Sequence, residues 1–250
     1  MINLSHILIT GGSRGIGLAT AEAFLTQGHQ VTIWALHPES VESGMAHLST
    51  YQDLVRGMAI DVGDYRAVAT ASEKLASENP VDVLVNNAGW TLTQPFLSES
   101  PDYWDRIMAT NFWGPVYLCH ALLPHMAKRN SGVIINVVSD AARVGMAGES
   151  VYAAAKGGVI SLTKSLAQEM ARYKIRVNAV SPGPIATGML DENAATESAQ
   201  HLIEKMVQKI PLRRLGQPQE VASVVVFLTS DAAQYITGQV LSVSGGLTMI

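Results

Sequence analysis

Short runs rich in β-branched residues alternate with longer helical segments from one end of the chain to the other, and this alternation constrains the fold more than any other feature. Strands are expected at 6–10, 30–35, 54–60, 81–86, 132–138, 175–180 and 239–243. Helices are expected near 16–26, 65–77, 103–128, 151–173 and 219–230, the last with Pro218 suited to its first turn. Strands joined through helices run parallel, so the pattern predicts an α/β fold, a doubly wound Rossmann-type domain with a seven-stranded parallel sheet. No sequence repeat beyond the β-α units and no low-complexity linker divides the chain, so residues 1–250 read as one domain. An apolar content of 48% is enough for a large core.

The first strand runs into a glycine-rich turn, Ile7-Leu-Ile-Thr-Gly-Gly-Ser-Arg-Gly-Ile-Gly17, after which Leu18, Ala21, Ala23 and Phe24 begin a helical pattern. Gly11, Gly15 and Gly17 would let the backbone approach a pyrophosphate at a helix N-terminus, where free N–H groups and the helix dipole favour anions. The spacing G-x-x-x-G-x-G differs from the usual G-x-G-x-x-G dinucleotide fingerprint, and a structural turn is the competing reading. Farther on, Tyr152 and Lys156 are one helical turn apart on one face. A neighbouring ammonium stabilises phenolate and draws a tyrosine toward working pH, which makes a general acid/base. Asn111 stands in a helical stretch although asparagine forms helix poorly, which predicts a helix irregularity or a polar task.

Taken together, Thr10-Gly-Gly-Ser-Arg-Gly-Ile-Gly17, Asn86-Asn-Ala-Gly89, Asn111, Ser139, Tyr152-x-x-x-Lys156 and Pro182-Gly183 resemble the short-chain dehydrogenase/reductase family over essentially the whole chain. Pro211-Leu-Arg-Arg-Leu-Gly-Gln-Pro-Gln-Glu220 and the stretch from Tyr235 to Gly246 look most like the 3-oxoacyl-(acyl-carrier-protein) reductases. The resemblance implies a nicotinamide-dependent ketoreductase with a catalytic set of Asn111, Ser139, Tyr152 and Lys156. In this set Tyr152 protonates the carbonyl oxygen, Ser139 holds that oxygen, Lys156 serves both Tyr152 and the nicotinamide ribose, and Asn111 supports a water-linked proton path. It also implies cofactor contacts from Gly11, Ser13, Arg14, Gly15, Ile16 and Gly17, and from Asp61 and Val62 beside the adenine. Asn87, Ala88 and Gly89 would lie near the ribose, and Pro182, Gly183, Ile185 and Thr187 near the carboxamide and a phosphate. Asp61 has a competing reading as a turn former. Two other functions remain open at this stage: an NAD-dependent dehydrogenase of a cyclic or acyl-CoA-linked alcohol, and a non-catalytic dinucleotide sensor.

Cofactor choice turns on the end of the second strand, Ile33-Trp-Ala-Leu-His37, where Ala35 occupies the place of the acidic residue that selects NAD. Without that repulsive carboxylate, and with Arg14 and His37 as donors for a 2′-phosphate, NADP(H) is favoured over NAD(H). The segment 187–210 breaks the β-α rhythm, polar through Asp191-Glu-Asn-Ala-Ala-Thr-Glu-Ser198 and then amphipathic at Leu202, Ile203, Met206 and Ile210, and is expected to form a substrate lid. Arg143 and Glu149 lie in a loop that departs from the family's pattern, and sequence assigns them no role.

Charged residues make up 15% of the chain with no like-charged run and a net charge of −4, so a nucleic-acid partner is not expected. No apolar stretch reaches membrane-spanning length, and Met1-Ile-Asn-Leu lacks the basic start of a signal peptide, so a cytoplasmic location and no membrane partner are expected. Cys119 is the sole cysteine, and the seven histidines form no H-x-H or H-x-x-x-H pair, so neither an internal disulfide nor a metal site is expected. The remaining partners expected are a small carbonyl or alcohol substrate and further copies of the chain, because the family resemblance implies a homotetramer built on helices near 111–128 and 151–173.

Overall fold

The computed structural model describes residues 5–188 and 205–250. Seven strands are present at the expected places: β1 His6–Thr10, β2 Gln30–Ala35, β3 Val55–Ala59, β4 Val83–Asn86, β5 Gly132–Val137, β6 Ile175–Pro182 and β7 Val240–Val243. They form one sheet in the order β3-β2-β1-β4-β5-β6-β7, and every neighbouring pair is parallel. The inner strands are apolar on both faces because both are covered. Ile7, Ile9, Val31 and Ile33 face a core shared with Phe24, Val221, Val225 and Leu228. Leu8, Trp34 and Leu84, pointing the other way, pack with Val68, Leu75, Leu118, Leu122 and Met126.

Among the described residues the helices include α1 Gly15–Leu25, α2 Pro38–His47, α3 Tyr65–Glu78, α4 Pro101–Met108, α5 Gly114–Arg129, α6 Ala141–Val144, α7 Ser150–Met170 and α8 Pro218–Thr229. Three features depart from the expected layout, one of them the single turn of α6, in a stretch expected to be loop. The helix α2 was not anticipated, because Pro38-Glu-Ser-Val-Glu-Ser-Gly-Met is polar and glycine-containing. It forms because Pro38 opens it and Gly44 lets it close on the glycine loop, where a Cβ would stand 2.8 Å from the Ser13 Cα. The single helix expected at 103–128 is instead α4, a π-helical turn at Ala109–Trp113, and α5. Pro124 lies inside α5, which ends on Asn130 in the left-handed conformation.

Strand order reverses at β1, which pairs with β2 on one side and β4 on the other. The carboxyl ends of β1 and β4 therefore bound the crevice where a doubly wound sheet binds its ligand. Of the segment expected to be a lid, 189–204 lies outside the described residues.

Candidate active site

Gly11 leaves β1 with φ +62, and α1 begins four residues later behind Arg14, an extended N-cap with no side-chain hydrogen bond to the helix end. The turn is so tight that a Cβ on Gly17 would come within 2.1 Å of the Gly11 carbonyl oxygen and 2.6 Å of Asn87 Nδ2. No acidic residue stands in the first turn of α1. The helix thus presents amide N–H groups without a competing carboxylate, a cradle fitted to the pyrophosphate of a dinucleotide. Thr10 fastens this loop to the far side of the crevice. Its hydroxyl oxygen accepts from the amides of Asn87 at 3.1 Å and Ala88 at 3.0 Å, while Asn87 Nδ2 donates to the carbonyls of Thr10 and Gly11.

Other residues expected to contact the cofactor follow the carboxyl ends of β1, β3, β4 and β6. Ser13 and Ile16 are half-buried and Arg14 is exposed. Val62 is buried against Gly114, whereas Asp61 turns its Oδ1 to the Gly63 amide at 2.8 Å, so the turn-forming reading of Asp61 is realised. Pro182 ends β6, Gly183 donates to the Val243 carbonyl, and Ile185 bridges to Gly216. Thr187 returns to the loop, its Cγ2 lying 3.3 Å from where a Cβ on Gly15 would be.

Asn111, Ser139, Tyr152 and Lys156 converge at the carboxyl end of β5. Asn111 sits in the π-turn, fully buried. Its Nδ2 donates to the carbonyls of Trp90 at 2.8 Å and Ile107 at 3.1 Å, and its Oδ1 accepts from the Trp90 amide at 3.3 Å. Gly89 lies between it and Lys156: a Cβ there would stand 3.0 Å from Asn111 Oδ1 and 3.4 Å from Lys156 Nζ. The Lys156 ammonium is buried, donates to the Val137 carbonyl at 2.9 Å, and lies 6.0 Å from the centre of the Tyr152 ring. Burial draws its pKa down to about 8. The Tyr152 hydroxyl is hydrogen-bonded with Ser139, which favours ionisation, but burial and the negative charge of Glu149 both oppose it, and the net displacement is upward. Burial is the largest influence on the phenol, and the Lys156 ammonium is engaged by a backbone carbonyl.

A family profile described as enoyl-(acyl carrier protein) reductase matches residues 11–248. The chain belongs to the short-chain dehydrogenase/reductase family. It is accordingly an NAD(P)-dependent oxidoreductase acting on CH–OH groups. Among relatives in this family, the 3-oxoacyl-(acyl-carrier-protein) reductase of Chlamydia pneumoniae is 41% identical over 246 residues, covering 97% of this chain and 96% of its own. The acetoacetyl-CoA reductase of Shinella zoogloeoides is 39% identical over 246 residues, covering 96% of each. The crystal structure of levodione reductase superposes with a TM-score of 0.92 at 31% identity, covering 97% of this chain and 96% of that one.

Several site features of this short-chain dehydrogenase/reductase were not assigned from sequence. The hub role of Thr10 depends on partners 77 and 78 residues away. A buried polar ladder runs from Asn86 Nδ2 to Asn136 Oδ1 at 2.8 Å, then from Asn136 Nδ2 to Thr163 Oγ1 at 2.9 Å, tying β4 and β5 to α7 beneath the catalytic group. An asparagine within Val133-Ile-Ile-Asn-Val-Val138 was the available signal for it, because buried amides need partners. Asp140, also buried, accepts from Ser181 at 2.7 Å and Ser242 at 3.0 Å, joining the loop after Ser139 to β6 and β7. Among the described residues, no three His, Cys, Asp or Glu side chains are grouped to hold a metal ion, and no helix is long and apolar enough to cross a membrane.

Proposed function

We propose that this chain, acting as one dinucleotide-binding and catalytic domain, is an NADP(H)-dependent ketoreductase that converts a 3-oxoacyl thioester, or a related ketone, to the secondary alcohol. The observation that carries the reading is the Ser139–Tyr152 hydroxyl pair beside a buried lysine, at the crevice end of a glycine loop suited to a dinucleotide. When bound, the reduced nicotinamide supplies the hydride. Ser139 and Tyr152 together would hold the carbonyl oxygen, and the Tyr152 O–H would break as the product O–H forms, raising the substrate carbon's electrophilicity throughout. Lys156, fixed by the Val137 carbonyl, would reach the nicotinamide ribose hydroxyls and orient them. Asn111 would keep the Trp90 turn and Gly89 in place beside Lys156, with the π-turn available to a water-linked proton path.

Support for the acyl thioester comes from the names of the relatives in Chlamydia pneumoniae and Shinella zoogloeoides. A cyclic ketone is the second reading, favoured by the similarity to levodione reductase. Preference for NADP(H) is supported by Ala35, which ends β2 without a carboxylate to repel a 2′-phosphate, and by exposed Arg14 at the N-cap of α1 and His37 at the N-cap of α2. Assembly as a homotetramer through α5 and α7 is supported by an aromatic surface beside the start of α5, where half-exposed Trp113 of the π-turn stacks on Tyr117 at 6.0 Å and Tyr65 of α3 meets Tyr117 edge-on. The test is kcat/KM for an acetoacetyl thioester and a cyclic diketone with NADPH and with NADH, in the wild type, Arg14→Ala and Tyr152→Phe. We expect the thioester and NADPH to be preferred, Arg14→Ala to lose the NADPH preference, and Tyr152→Phe to lose at least ~100-fold in kcat with dinucleotide binding retained. Preference for NADH, or a Tyr152→Phe enzyme with near-normal turnover, overturns the reading.

A further inference from the structure

Asp140 follows Ser139 and is the N-cap of α6, yet its carboxylate makes no hydrogen bond to the helix it precedes. An aspartate in that position ordinarily accepts from the second or third amide of its own helix. Here the Ser139 hydroxyl oxygen accepts from the Ala141 amide at 3.2 Å in its place. The Asp140 carboxylate is buried and turned to the sheet instead. Its Oδ1 accepts from the Ser181 hydroxyl of β6 at 2.7 Å and from the Ser242 hydroxyl of β7 at 3.0 Å, while the Asp140 amide donates to the Pro182 carbonyl at 3.1 Å. Ser242 also accepts from the Arg143 guanidinium, so one hydroxyl stands between a cation and an anion, and each of its bonds strengthens the other.

The consequence falls on Ser139. Its oxygen is held by the Ala141 amide and its hydroxyl is paired with that of Tyr152. The turn that carries this amide is otherwise bonded to itself: Ala142 donates to the Ser139 carbonyl at 3.0 Å, Arg143 to the Asp140 carbonyl at 2.9 Å and Gly145 to the Ala141 carbonyl at 2.9 Å. Among the described residues, the hydrogen bonds that tie residues 140–144 to the sheet are those of Asp140 and Arg143. Both reach Ser242, and Asp140 also grips β6 at Ser181 and Pro182, where the strand runs into the loop of Gly183, Ile185 and Thr187.

We propose that Asp140 is a positioning residue for Ser139: by tying the turn to the ends of β6 and β7 it holds the Ala141 amide on the serine oxygen and so aims the serine O–H at the place of the substrate's carbonyl oxygen. The inference rests on the role given above to Ser139 in holding that oxygen. A donor aimed before the substrate arrives needs no reorganisation during the reaction, and a small displacement of it is costly in rate. Ser242 stands 102 residues beyond Asp140, so the end of β7 belongs to the same device.

The experiment measures kcat for reduction of an acetoacetyl thioester at saturating NADPH and substrate, per folded enzyme, in Ser139→Ala, Asp140→Ala, Asp140→Asn, Ser242→Ala and the double variant Ser139→Ala/Asp140→Ala. Asp140→Ala is expected to lose ~10-fold and Ser242→Ala, which leaves the Ser181 bond, ~3-fold. Asp140→Asn keeps an oxygen acceptor in place and should recover most of the loss. In the Ser139→Ala background Asp140→Ala should cost no further kcat, because residues that act through one hydroxyl are not additive. Equal losses from Asp140→Ala in both backgrounds, an Asp140→Ala enzyme with wild-type kcat, or an Asp140→Asn enzyme as impaired as Asp140→Ala overturns the proposal. If Asp140→Ala does not fold, Ser242→Ala made in both backgrounds decides in the same way. A Ser139→Ala enzyme with near-normal kcat would instead refute the role of Ser139 itself, so the two failures are read from different variants.

Discussion

Gly17→Ala tests the dinucleotide cradle most directly, because the clash it creates is with backbone. The new methyl carbon would fall 2.1 Å from the Gly11 carbonyl oxygen and 2.8 Å from the Gly11 carbonyl carbon, whereas real Cβ atoms essentially never come within 3.0 Å of such a neighbour. Relief requires the loop and the start of α1 to separate by ~1 Å, taking 3.0–3.4 Å as the closest tolerable approach. The helix cannot simply slide, because Ala21, Phe24 and Leu25 are locked into the core. Overpacking of this kind costs ~1–3 kcal/mol, which for a chain of this size lowers the unfolding midpoint by roughly 3–10 °C. The same movement misaims the amides of the first turn. Losing one charge-assisted hydrogen bond of ~1.5–3 kcal/mol weakens the dinucleotide by about 10–100-fold. Thermal unfolding and calorimetric titration with NADPH measure the two effects, with Gly188→Ala as the control because no atom of the described residues stands within 4 Å of a Cβ there. If Gly17→Ala unfolds with the wild type and binds NADPH equally well, the cradle is not built as described.

Lys156→Ala should reduce kcat by at least ~100-fold and, unlike Tyr152→Phe, also weaken dinucleotide binding, since one ammonium is asked to serve both; titration of the two variants side by side checks the distinction. At the amino end of β1, His6 is buried with Nδ1 2.8 Å from the Asn79 carbonyl and Nε2 2.9 Å from Thr32 Oγ1, an arrangement suited to the neutral ring. Burial lowers its pKa below 6.5, so the unfolded chain takes up the proton first, and the stability His6 contributes is present above pH ~6.5 and lost as pH falls below it. The unfolding midpoint should therefore drop between pH 7.5 and 5.5; His29 shares the direction, and a His6→Gln variant with an equally steep decline would remove His6 from the account. Light scattering at micromolar concentration should give four times the chain mass, and a monomer there would refute assembly through α5 and α7.

The sheet could be read from sequence because its strands are buried on both faces, and fully buried parallel strands appear as unbroken apolar runs such as Val133-Ile-Ile and Val83-Leu-Val. Their ends shifted by a residue or two, since pairing, not side-chain type, decides where a strand stops. Asn111 announced an irregularity by its poor fit to a helix, but the π-turn itself depends on the Trp90 and Ile107 carbonyls that its side chain satisfies. The helix α2 was illegible because its stability comes from docking on Ser13 and not from its own residues. The Tyr152–Lys156 spacing was visible, yet the placement of the ammonium on Val137 depends on a tertiary contact that spacing does not encode.

The bonds that close the glycine loop onto Asn87 reach across 77 residues. A chain emerging from the ribosome N-terminus first, at ~5–20 residues per second, has made its phosphate cradle about 4–15 seconds before the residue that fastens it exists. During that interval Thr10 lacks the amides that will occupy its hydroxyl, and the first β-α unit has no β4 to lie against. Dinucleotide supplied to a growing chain therefore has little to grip until the fourth strand has docked, and thereafter it stabilises the joined halves together.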